Sequence, residues 1–212
     1  MVREKSGDAR ERILAACSRC IARTGVRGLR IQEVAKEAGV STGLLYYHFA
    51  DRDGLLRAAL DFVNASAAAR AEDVSLRSPQ ARLRALLHSE FGDEDGVREG
   101  STAWNELRAS AVFDSAQADA IAASTRSWQE SVALLVAEAR AAHDAGQPSR
   151  AQDVSGEAGP PDEAALVLTA LVEGLSGRWL TGQLDVMGAR KAVDVALAAL
   201  GLVPTGPGVS RP

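Results

Sequence analysis

The stretch 31–49, IQEVAKEAGVSTGLLYYHF, restricts the fold more than any other part of the chain. Val34, Ala35 and Ala38 fall on one face of a short helix over 31–38 that stops at Gly39. A second short helix covers 42–49 with Ser41 as its N-cap, where a hydroxyl can accept from a free backbone N–H. Ala35 sits where the two helices cross and only a small side chain fits. Gly39, four residues on, supplies the positive φ of a tight turn without steric cost. Val34, Ala38, Val40 and Leu45 make the small core that fixes the angle between the helices. An A-x3-G spacing alone says little. Joined to these apolar positions, a capped second helix and a preceding amphipathic helix, it specifies a helix-turn-helix.

The second helix of that unit carries an odd concentration of rings. Aromatic residues make up 4 % of the chain, yet both tyrosines stand side by side as Tyr46 and Tyr47, followed by His48 and Phe49. At 3.6 residues per turn, adjacent side chains cannot all point into one core. Leu45 and Phe49 are the inward anchors, which leaves the two phenols and the imidazole outside. Charge points the same way. Residues 1–52 hold ten Lys/Arg against six Asp/Glu, a balance of +4, while 53–212 hold fourteen against twenty-two, a balance of −8. The second helix of such a unit enters the major groove of a duplex, and a basic end on an acidic chain suits double-stranded DNA as partner.

The rest of the chain reads as all-α. Ala, Leu, Arg and Glu dominate, and β-branched runs with period two are hard to find. About nine helices are expected: one over the segment ending at Gly25, the two short ones, a long one from 52 to 71 capped by Asp51, and a fifth after Pro79. A charged loop over 92–101 precedes a short sixth helix from Thr102, and Asp114 caps a long seventh to about His143. A polar linker over 145–161 leads to an eighth helix, apolar nearly all round, and a ninth. The expected division is a three-helix DNA-binding domain at 1–52, a larger helical bundle at 53–203 and a disordered tail at 204–212. No apolar stretch approaches the ~18 residues of a membrane span, and the charged start MVREKSGDARER is no signal peptide. A cytoplasmic protein without membrane attachment is expected. Cys17 and Cys20 lie on the apolar stripe of the first helix, where cysteine acts as a small hydrophobe. No metal-ligand spacing, phosphate loop or cluster of nucleophile and base is present, so neither metal, cofactor nor enzymatic activity is expected.

RERILAAC…IARTGVRGLRIQEVAKEAGVSTGLLYYHFADRDGLL, about 10–56, resembles the TetR family of bacterial transcriptional regulators. The resemblance implies roles for matching positions. Ser41, Thr42, Gly43 and Leu44 would lie at the DNA-facing end of the reading helix, with Tyr47 on a base or the sugar-phosphate. Tyr46 and His48 would donate to phosphates, and Arg52, where the family usually has lysine, would meet another from the next helix. Arg30 stands where the family usually has a capping threonine; it can take a phosphate but cannot cap. Gln32 would reach backbone or a base edge.

The same resemblance implies a C-terminal part that holds a small-molecule effector and pairs with a second copy. For the effector pocket, among the fifth to eighth helices, His88, Phe91, Trp104, Arg108, Trp128 and Glu173 are the candidates. For the homodimer face, on the last two helices, they are Leu171, Gly174, Leu175, Arg178, Val193 and Leu197. The implied function is a ligand-released repressor that binds a palindromic operator as a homodimer. An activator of the same fold, and a helical protein-interaction module without operator binding, are the alternatives.

Overall fold

Gly25 breaks the first helix without ending it. With φ 70° and ψ 167° it interrupts α1 (Ser6–Gly28), which resumes for a last turn. The computed structural model describes residues 6–71, 78–145 and 160–203. Most of the 145–161 linker and the 204–212 tail therefore lie outside the described residues. Among the described residues the chain forms nine helices and no strand. After α1 come α2 (Ile31–Ala38), α3 (Thr42–Phe49), α4 (Arg52–Ala71) and α5 (Pro79–His88). They are followed by α6 (Asp95–Ala111), α7 (Ser115–Ala145), α8 (Pro161–Leu180) and α9 (Val186–Ala199). None of the described helices is long and apolar enough to cross a membrane.

Local chemistry sets most of the boundaries. Ser41, Ser78 and Asp185 each accept a hydrogen bond from a backbone N–H in the first turn of α3, α5 and α9. The Asp114 carboxylate does the same for α7, taking the N–H groups of Ala116 and Gln117. Helix α6 departs from expectation. It begins at Asp95 rather than Thr102, so much of the charged stretch read as loop is helical. Gly96 and Gly100 weaken the helical signal there, but burial of Val97 fixes the turn and Gly100 lies close to the Val63 side chain. Packing overrides propensity.

The chain packs as two compact units. The first holds α1 to α4, α6 and the beginning of α7 to Arg126, so helices well beyond residue 52 join the N-terminal head. Its core is built around Ile13, Cys17, Ile21, Val34, Leu45 and Leu55, with Trp104 and Ile121 packed against it. The second holds α5, the rest of α7, α8 and α9, with Leu83, Leu87, Phe91, Val136, Leu168 and Leu197 fully buried.

An ionic clamp holds α2 against α1. The Glu37 carboxylate accepts from Arg19 Nε at 2.7 Å and from Arg23 Nη2 at 2.5 Å, and Cys20 Sγ donates to it at 3.2 Å. The hydrogen bond from Arg23 is the largest cause of a carboxyl pKa that falls from the ordinary 4.5 to about 2. A pKa depressed by folding stabilises the fold above the unfolded value, and that stability is lost as pH falls through the folded one. Denaturation midpoints of the wild type should therefore drop between pH 4.5 and about 2. Glu37→Gln should start less stable and lose less across that window. Equal slopes for the two proteins would rule out the clamp as their source.

Candidate nucleic-acid interface

The head presents α3 on a scaffold set by its turn. Gly39 adopts φ 67°, ψ 35°, and its N–H closes the end of α2 on Lys36 and Ala35 carbonyls. Val40 N–H then donates to Ala35 O at 2.9 Å, and Ser41 Oγ accepts from Leu44 N at 3.1 Å. Helix α3 is thus locked at its first residue, while Leu45 and Phe49 plug it into the core. Arg10 lies over the Phe49 ring at 5.6 Å and fastens its outer edge.

What remains outside is a polar-aromatic ridge. Tyr47 is 79 % exposed and Tyr46 47 %. Ser41, Thr42, Gly43 and Leu44 are exposed beside them, as are Arg30 and Gln32 on the α2 side. Arg30 occupies the N-cap of α2 in an extended conformation and makes no side-chain cap, so that helix begins without one. His48 behaves differently from the phenols. Its ring is half-buried, stands edge-on to Tyr47 at 5.4 Å, and its Nε2 is enclosed with no hydrogen-bond partner. A phosphate contact through Nε2 needs the ring to turn.

Arg52, half-buried at the start of α4, already spends one donor inside the head: Nη2 bonds Val26 O at 2.6 Å. Between α3 and α4 the chain turns within three residues. Ala50 takes a positive φ of 61° and Asp51 N–H bonds back to Phe49 O at 2.6 Å. Asp51 Oδ1 then caps α4 through Gly54 N–H at 2.7 Å.

Cys17 and Cys20 are both sealed beneath α1. Burial pushes their thiols up to about 12 and about 11. Thiols held protonated and covered are poor nucleophiles and poor ligands, and no metal-binding group exists among the described residues.

The six candidates for an effector pocket are divided between the two units. In the head unit, Arg108 stacks on Trp104 at 5.2 Å. In the second unit, Phe91 is fully buried edge-on to Trp179 at 5.9 Å, and its carbonyl accepts from Arg190 at 2.5 Å. His88 Nε2 meets Asp194 Oδ1 at 2.9 Å. The same carboxylate takes Arg84 Nε and Nη2 at 2.6 and 2.7 Å. Burial is the main cause of a lowered His88 pKa, which favours the neutral ring. Phe91 thus packs in the core of that unit, and His88 ties α5 to α9. Trp128 and Glu173 are half-buried in that unit. A shallow cleft does exist within the head unit, lined by Leu56, Arg57, Leu60, Leu107, Gln117, Ala120 and Ile121. None of the six candidates lines it, and sequence periodicity carried no signal for it, since every lining residue also reads as core or surface.

The proposed dimer residues lie at different depths in the protomer. Val193 and Leu197 are 0 % exposed within a single protomer, and Leu175 is buried too, so all three belong to the protomer's own core. Gly174 and Arg178 are exposed and Leu171 half-buried. The large apolar side chains left outside are Leu166 and Val167 on α8 and Met187 and Val195 on α9. Spacing alone could have found the α9 pair, because Ala189, Val193 and Leu197 repeat every four residues on the opposite side of that helix from Met187 and Val195.

Comparison with known proteins matches this architecture. Residues 13–59 fit the family model described as bacterial regulatory proteins, tetR family. The crystal structure of a TetR-family transcriptional regulator from a Rhodococcus species is 44 % identical, with TM-score 0.80 over 92 % of this chain and 98 % of that one. The HTH-type transcriptional regulator BetI of Burkholderia thailandensis is 29 % identical over 82 % of each chain. A transcriptional regulator from Saccharomonospora viridis, solved in complex with choline, is 25 % identical with TM-score 0.72, over 91 % of this chain and 96 % of that one.

Proposed function

The chain belongs to the TetR family of bacterial transcriptional regulators, and from that premise we propose that it is a cytoplasmic, non-enzymatic homodimeric repressor released from its operator by a small molecule. The observation that carries the DNA-reading role is the division of α3: Leu45 and Phe49 anchored inside, Tyr46 and Tyr47 standing in solvent beside Thr42 and Leu44. Leu44 has no side-chain donor, so direct readout falls to Thr42, Tyr47 and contacts with thymine methyls, with DNA shape adding the rest. The dimer is supported by the apolar side chains that α8 and α9 leave exposed. A two-fold pair would set two copies of α3 on successive major grooves, about 34–36 Å apart or more. The effector is supported by the choline-bound relative. Because linkage is reciprocal, the effector must bind less tightly to the operator-bound form.

Gel shift on the DNA upstream of the coding gene, across a salt series, tests the reading. Operator binding should weaken steeply with salt as phosphate contacts release counterions. Tyr47→Ala should cost about 1–3 kcal/mol on the operator and less on random DNA, because it removes a contact to base or sugar. Arg52→Ala should weaken both DNAs alike and flatten the salt slope by about one unit. A base preference altered by Arg52→Ala with an unchanged slope would reverse these assignments. Choline is the first effector probe, and release of operator at millimolar choline would identify its class. No retarded complex on any DNA would instead favour an interaction module.

A further inference from the structure

We propose that Glu106 on α6 is a positioning residue for DNA binding, acting through Val26 on Arg52 at the foot of the reading helix. The inference rests on the reading of α3 as the DNA-contacting helix. Its observations all lie within the head unit. The break at Gly25 frees the Val26 N–H from the helical ladder, and Glu106 Oε2 accepts it at 3.1 Å. The other face of the same residue, Val26 O, accepts from Arg52 Nη2 at 2.6 Å. Two hydrogen bonds, to the successive peptides on either side of the Val26 Cα, thus link Glu106 on α6 through the last turn of α1 to Arg52 at the start of α4. Val26 is buried, so a peptide there without partners is costly.

The approach is close enough to dictate the residue beside it. A Cβ on Gly25 would lie 2.7 Å from Glu106 Oε2, and its φ of 70° already favours glycine. A second tie fastens the same turn to the segment just after α6, where Arg27 lies over the exposed Phe113 ring at 5.8 Å. The last turn of α1 is therefore docked at two points, on α6 and on the turn that follows it.

The consequence for DNA lies in Arg52. A guanidinium has five donors in a rigid fork. Anchoring one nitrogen on Val26 O fixes the plane of the others before a phosphate arrives, which removes an ordering cost from binding. Glu106 keeps the anchor in place, and any movement of α6 is passed to Arg52 through one residue. Its own charge works against DNA, so the field of the carboxylate and its positioning role predict effects of opposite sign.

That sign is the test, made on the full-length chain. Glu106→Ala should lower operator affinity by about tenfold, the scale of one buried hydrogen bond. Glu106→Gln keeps an acceptor oxygen and should stay within about twofold of wild type. In an Arg52→Ala background, Glu106→Ala should cost little more, because the link is already broken. Tighter or unchanged binding by Glu106→Ala, a Gln variant as weak as Ala, or additive losses in the double variant would each overturn the proposal. Should the Ala variant fail to fold, amide exchange in the wild type decides. The Val26 N–H should exchange more slowly with operator bound, and an equal rate bound and free would overturn the proposal. A wild-type chain that ignores operator DNA would instead defeat the functional reading itself.

Discussion

Leu166→Glu in α8 should give a folded protein that sediments as a monomer and has lost at least about a hundredfold in operator affinity. Leu166 is 55 % exposed in the protomer, so a carboxylate there meets water and costs the single chain no more than about 0.5 kcal/mol. In a two-fold pair the residue recurs against its mate, where two carboxylates would be desolvated together. Affinity falls because the second head no longer binds as an intramolecular event. Val193→Asp is the informative contrast. That side chain is 0 % exposed in one protomer, so the aspartate buries an unpaired charge and should unfold the second unit at any concentration. A Leu166→Glu protein that sediments as a dimer and holds its operator would remove α8 from the interface.

The second large effect is expected at the α3–α4 turn. Gly54→Ala should destabilise the head by about 2–3 kcal/mol, the range of overpacking in a site that cannot expand. A Cβ at position 54 would sit 2.3 Å from the Phe49 carbonyl oxygen and 3.2 Å from Asp51 Oδ1. The first neighbour is backbone, and it is already committed to the Asp51 N–H, with Ala50 held at positive φ between them. No side chain is free to swing away. Relief must come from moving the end of α3, so operator affinity should fall together with the denaturation midpoint. Chemical unfolding reads the first and gel shift the second. A midpoint shift worth under about 0.5 kcal/mol would show that the turn yields easily.

The parts of the fold that follow from local chemistry were legible in the sequence, and the parts decided by packing were not. Helices α2 and α3 fall where the turn residues place them, because Gly39 and Ser41 act on neighbours within four positions. The onset of α6 was hidden because Gly96, Gly100 and the surrounding charges resemble a loop, and only the burial of Val97 shows why that turn forms. The side of α8 left open was illegible for a different reason. A helix apolar on nearly every side carries no periodic mark of which face meets its own protomer. His48 and Phe49 also share a ring-rich run, and position alone could not show that the imidazole Nε2 is enclosed while Tyr47 stands clear. Glu106 reads as one more acidic residue beside an apolar stripe until the break at Gly25 supplies the N–H it holds.

The two thiols beneath α1 give the head a clock of its own. Both are covered when the helix is seated, so an alkylating reagent can reach them only in the instants when α1 lifts. The rate of labelling in the unaltered protein therefore counts those openings, with no introduced probe. Because Cys20 shares the carboxylate that joins Arg19 and Arg23, Glu37→Gln should quicken the count at neutral pH, where the reagent still meets thiolate.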